Sequence, residues 1–89
     1  MLKFINKQGV VSADGWGFQR INRFHYHYIE GLYTAELLVE NNRVSIRRQL
    51  SWLPPNQGEK ISIEKFEEIL SRVQFALRFM NLKYELTIY

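Results

Sequence analysis

From Phe24 onward the chain alternates apolar and polar positions. Phe24 to Ile29 (FHYHYI) interleaves aromatic with polar residues, Leu32 to Glu40 continues, and Arg43 to Gln49 follows. A period of two marks a half-buried strand. Glu30-Gly31 and Asn41-Asn42 sit where two-residue hairpin turns belong, which predicts a three-stranded antiparallel meander. Asn-Asn tolerates positive φ; Glu-Gly suits a type I′ turn less well, because Glu would have to adopt it. With two-residue turns, Ile29 faces Leu32, Tyr28 faces Tyr33, Glu40 faces Arg43 and Val39 faces Val44. One face then carries Phe24, Tyr26, Tyr28, Tyr33, Ala35, Leu37, Val39, Val44 and Ile46. The other carries His25, His27, Thr34, Glu36, Glu40, Arg43, Ser45 and Arg47, with Ile29, Leu32 and Leu38 as apolar exceptions. A slip of one residue would destroy this agreement between the hairpins.

The period changes to that of a helix over Ile61 to Met80 (ISIEKFEEILSRVQFALRFM). Ile63, Phe66, Ile69, Leu70, Val73, Ala76, Leu77 and Met80 form one apolar stripe. Ser62 is the natural N-cap, Ile61 and Phe66 can staple the first turn, and Asn81 can end the helix in the left-handed conformation. Glutamates near the start and arginines near the end suit the helix dipole, and Glu68 and Arg72 are spaced as an i,i+4 pair. Phe75 and Phe79 widen the apolar face, either to cover a broad sheet or to meet a partner.

Around these elements, residues 2–5 read as a short edge strand and 8–15 as a loop. Trp16 to Ile21 reads as a strand weakened by Gly17. Gln49 to Lys60 is the connection into the helix, kept extended and stiff by Pro54-Pro55. Leu82 to Tyr89 reads as a last strand with Leu82, Tyr84, Leu86 and Ile88 inward. The fold class expected is α+β in two layers: an antiparallel β-sheet of four or five strands, one long helix packed on one face, and the other face open. The 89 residues make one domain.

Composition narrows the chemistry. With 46% hydrophobic residues and no cysteine, the chain can bury a core without staples, and it has no thiolate nucleophile or zinc-cysteine site. That absence fits a cytoplasmic setting. The first residues, MLKFINKQGVV, lack the apolar run of a signal peptide, and no segment has the length to span a bilayer. The net charge of +3 arises within residues 1–48, which hold seven Lys/Arg against four Asp/Glu. An excess this small permits an acidic partner without demanding one.

No nucleophile elbow, glycine-rich phosphate loop or paired acid/base carboxylates occur, so the reading is non-catalytic. His25 and His27 share one side of a strand with Glu36 as the one carboxylate opposite His25. A metal site needs more ligands, so a cross-strand His–Glu pair is the simpler reading, and no metal or cofactor is expected. A small nucleic-acid-binding module using the basic open face is the alternative function. It is weakened because the aromatics fall on the core face and Glu36 and Glu40 oppose phosphate. Trp52, beside Arg47 and Arg48 and ahead of Pro54-Pro55, either anchors a partner or folds back to seal the core.

The segment SIRRQLSWLPPNQGEKISIEKFEEILSRVQFALRF resembles the C-terminal half of a family of small immunity proteins from bacterial polymorphic toxin systems. The shared order is a strand ending in Ser-Ile and basic residues, Trp near Pro-Pro, a polar loop, Ile-Ser, and a helix ending in Ala-Leu-x-Phe. The chain departs from the pattern at Leu53, an extra residue before the prolines, and at Asn56, where the family has a histidine. The resemblance implies a protein that binds and blocks a cognate toxin. Two surfaces could serve: the open sheet face with His25, His27, Glu36, Arg43 and Arg47, or the loop with Arg48, Trp52, Pro54 and Pro55. An uncovered edge on the last strand would also allow a homodimer.

Overall fold

A computed structural model describes residues 1–89. The chain forms β1 (Leu2–Asn6), β2 (Gly9–Ser12), β3 (Trp16–Asn22), β4 (His25–Glu30), β5 (Tyr33–Glu40), β6 (Arg43–Ile46), α1 (Ile63–Phe79) and β7 (Glu85–Ile88). All seven strands make one sheet in chain order. The fold is α+β as expected, but with more strands than the expected four or five. β2 accounts for part of the difference: Gly9–Ser12 lies within the stretch expected to be loop. Four residues are too few to display a period, yet Val10 points inward, fully buried opposite Phe18.

The sheet is also not wholly antiparallel. β1 to β6 form an antiparallel meander, and β7 lies parallel to β6. The intervening helix carries the chain back along the sheet, so β7 starts from the same end as β6. β7 begins at Glu85, later than the alternation suggests, while Leu82, Tyr84 and Leu86 still pack against the core.

Both central turns explain their residues. Asn41 and Asn42 have φ of +52° and +61°, the pattern of a type I′ turn, and Glu40 faces Arg43 as expected. In the first hairpin Glu30 faces Tyr33, so the turn is Gly31-Leu32 and not Glu30-Gly31. Gly31, with φ +61°, takes the first central position as a type II′ turn requires, and Glu30 stays in the strand. The pairing thereby moves by two: Tyr28 lies opposite Ala35 instead of Tyr33. A shift of two keeps every side chain on its expected face.

That face is the core. Tyr26, Tyr28, Ala35, Leu37, Val39, Val44 and Ile46 are buried against Ile69, Val73, Ala76 and Leu77 of α1, with Leu2, Val10, Trp16 and Phe18 beside them. Phe18 and Tyr26 stack at 4.4 Å. Three residues expected on the core side are exposed: Phe24, Ile63 and, at the end of β7, Ile88. Phe24 is half exposed because a register irregularity after Arg20 ends the β3–β4 ladder at His25 and leaves it in the turn. Ile63, in the first turn of α1, is 76% exposed and borders a groove of about 810 Å³. Phe79 packs its ring on Phe4 at 5.2 Å, and Phe75 stays largely exposed.

The helix is capped at both ends. Ser62 Oγ accepts the Lys65 N–H at 3.1 Å. At the other end Asn81 has φ +58°, and the Asn81 and Leu82 N–H groups donate to Arg78 and Leu77 carbonyls at 3.0 and 2.9 Å. This is the Schellman arrangement. The chain is extended between β6 and α1 only in part. After Ile46 it loops out and returns so that Trp52 bridges Ala35 and the Leu53 N–H donates to Thr34 at 2.7 Å. Trp52 and Leu53 thus fill the place beside β5 that β6 vacates. Pro54-Pro55, expected to be extended, instead form the corner of a turn closed by the Asn56 N–H on the Leu53 carbonyl at 3.1 Å. Asn56 Nδ2 and Glu59 then fasten this loop to Leu32 and Tyr33 of the hairpin.

Candidate functional site

With α1 on one side only, the other side of the sheet faces solvent. β4 places His25 and His27 there, β5 places Glu36 and Leu38, and β6 places Arg43 and Ser45. Glu36 lies directly opposite His27, not His25, as the shifted hairpin register requires. His27 Nε2 is 2.9 Å from Glu36 Oε2, and His25 Nε2 is 3.9 Å from Glu36 Oε1. A carboxylate only accepts, so His27 Nε2 carries the proton of that hydrogen bond. Asn22 Oδ1 accepts the Phe24 N–H at 2.9 Å and lies 3.0 Å from His25 Nδ1, so that nitrogen is also a donor. Each ring is therefore held from one side by one acceptor. Glu36 thus accepts one hydrogen bond, from His27, the cross-strand pairing that strands favour, while His25 Nε2 stands 3.9 Å off.

Around this cluster lie the half-buried Ile29 and Leu38 and the exposed Arg43, which is 3.8 Å from Glu85 and opposite Glu40. Towards β1, Ile5, Val11, Gly17 and Ile29 border a shallow depression of about 250 Å³. Gly17 keeps the floor of this depression low: a Cβ there would lie 3.0 Å from the Val10 carbonyl, a tight contact. The open face thus joins a polar half, His25, His27, Glu36 and Arg43, to an apolar half. Ile29 and Leu38 are the apolar exceptions that the sequence places on this face; Val11 is not legible there, because β2 shows no period of its own.

Of the loop residues, Trp52 does not reach the surface. Trp52 is buried at 6% exposure, its ring against Tyr28 at 6.4 Å and edge-on to Tyr33 at 5.2 Å. It seals the core on the sheet side, beside Ala35. Pro54 and Pro55 are exposed in their turn. Arg47 and Arg48 are exposed beside Tyr89, whose carbonyl accepts the Arg48 N–H at 2.7 Å, and Arg48 also borders the groove lined by Gln57 to Lys60 of the loop. The rings that a base-stacking surface would use, Tyr26 and Tyr28, are fully buried under α1.

A second polar cluster sits where α1 meets the sheet. The Tyr28 hydroxyl donates to Glu30 Oε1 at 2.6 Å and accepts from Arg72 Nη1 at 2.8 Å; Lys65 Nζ donates to Glu30 Oε2 at 2.8 Å. The Arg72 guanidinium also lies 5.5 Å over the Trp16 ring. Burial alone would raise the Glu30 pKa. Hydrogen bonds from Lys65 and Tyr28, with the charges of Lys65 and Arg72, outweigh it and hold Glu30 below the ordinary value. Burial and the hydrogen bond to Glu30 push the Tyr28 phenol well up. A carboxylate held ionised by this many donors is tied into the fold and is poorly suited to proton transfer.

No helix is long and apolar enough to cross a membrane. Comparison with protein-family models, curated proteins and solved structures finds no match.

Proposed function

We propose that this chain is a non-catalytic, cytoplasmic binding protein of the immunity type, which blocks a cognate bacterial toxin with the open face of its sheet. The observation that carries the reading is the open face itself. It combines fixed polar groups with an apolar shelf on a backbone that needs no reordering to bind. Preorganisation of this kind spares the ordering cost of association. A standard interface takes about 800 Å² per partner, and a sheet this wide offers a continuous surface for it. The polar cluster of His25, His27 and Glu36 supplies orientation; Ile29, Leu38, Val11 and Ile5 supply contact area. Trp52 has no part in the contact.

The test uses the gene beside the one encoding this chain, because immunity genes adjoin their toxins. Expressed alone, the neighbour's product should arrest growth, and co-expression of this chain should restore it. Glu36→Arg with Leu38→Lys should abolish the rescue while circular dichroism and melting temperature stay close to those of the parent. Rescue undiminished by both changes would overturn the assignment of the face. Absence of any neutralised neighbour, together with nucleic-acid binding that falls steeply with salt, would replace the inhibitor reading by the nucleic-acid one.

A further inference from the structure

We propose that the free edge of β7 is a self-association surface, where a second copy of this chain adds its own β7 in antiparallel register. The inference does not depend on the inhibitor reading.

The two edges of the sheet differ. β1 carries a register irregularity between Phe4 and Asn6 and has Lys3 within the strand. Bulges and lysines are the devices by which proteins blunt an edge. β7 (ELTI) has no proline or lysine, and its pairing with β6 runs without irregularity from Glu85 to Ile88. The Glu85 and Tyr89 N–H groups donate towards β6, to Asn42 and Ile46 carbonyls, both at 3.0 Å. Backbone alternation then turns the N–H and C=O groups of Leu86 and Ile88 to the free edge.

Antiparallel addition of the same strand satisfies those groups. Centred on Thr87, it places Leu86 opposite Ile88 of the second copy, and the reverse, giving reciprocal backbone hydrogen bonds. Leu86 and Ile88 lie on the core side, where Ile88 is 40% exposed and borders the groove that also exposes Ile63. The pairing covers these apolar groups. It also sets Glu85 against the end of the second copy where Tyr89, Arg47 and Arg48 lie. Charges are therefore complementary in the antiparallel arrangement, whereas a parallel one would place like beside like. The symmetry is two-fold and closes at the dimer, because β1 is guarded. The two open faces become one continuous surface.

The measurement is the mass of the purified full-length chain by light scattering across a concentration series, with hydrogen exchange of the Leu86 and Ile88 amides. The expected mass is twice 10.7 kDa at high concentration, with both amides protected in the dimer and unprotected on dilution. Ile88→Pro removes a donor that faces away from β6 and should weaken dimerisation about tenfold or more without loss of the monomer's circular dichroism. Glu85→Arg should weaken it likewise. Arg47 lies opposite Tyr89 on the same face as Glu85, and Glu85→Arg with Arg47→Glu should restore dimerisation. That rescue separates a contact from mere destabilisation. A chain that stays at the monomer mass throughout would overturn the proposal. So would a dimer indifferent to Ile88→Pro, or one lost only on changing Glu36 and Leu38 of the open face.

Discussion

At the scale of single residues, the side chains that sequence marks for binding divide by where the register puts them. Trp52 has the composition of an interface anchor and neighbours two arginines in sequence, but its backbone bridges Ala35 and its ring meets Tyr28 and Tyr33. Trp52→Ala should therefore lower stability by about 3–5 kcal/mol, read by denaturant unfolding, before it affects any partner. Sequence could not decide this, because the residues that bury Trp52 lie on a hairpin some twenty positions earlier. His27 and Glu36 were legible as facing each other's strand, and only the turn's glycine decided which histidine the carboxylate meets. In the sequence Glu30 reads as a turn residue; its place between Tyr28, Lys65 and Arg72 requires knowing how α1 docks. Its folded pKa lies below the ordinary 4.5. The stabilisation is thus fully present above that value and lost as pH falls through the folded one. The Lys65 pKa is raised above 10.5, chiefly by its hydrogen bond to Glu30, so its share is present below 10.5 and lost as pH rises past it. Urea midpoints should hold level between these limits and fall on the acid side. Glu30→Gln should remove much of the acid limb, and an unchanged limb would assign it to other carboxylates.

At the scale of elements, legibility follows length. α1 has enough turns for its stripe, caps and staple to reinforce one another, and it forms as read except for Ile63 and its flanks. β4 and β5 repeat their alternation often enough to fix their faces. β2 does not, and nothing in Gly9–Ser12 reveals that Val10 is core. Turn chemistry carries its own prediction. Asn42 sits at φ +61° in a type I′ turn, where glycine is the preferred second residue. Asn42→Gly should therefore leave stability level or raise it by a few tenths of a kcal/mol, whereas Gly31→Ala, at φ +61°, should lower it by about 1 kcal/mol. Thermal melts of the two variants should move in opposite directions or differ clearly in size.

At the scale of the whole molecule, the two-layer plan was legible because one helix can cover only one side of a meander. The parallel placement of β7 was not, since a strand's own residues say nothing of which neighbour it joins or in which direction. That placement has a consequence in time. Every pairing from β1 to β6 joins segments adjacent in the chain, while Ser45 and Thr87, bonded at 3.1 Å across β6 and β7, are 42 positions apart. Closing the long loop costs entropy before any contact repays it, so the short hairpins nucleate and the last column zips afterwards. Leu37→Ala, within the meander, should slow refolding. Leu86→Ala should leave refolding nearly unchanged and speed unfolding, as chevron kinetics would read. β7 is then the latest strand to arrive and the earliest to leave, and its brief absences lay bare the edge of β6.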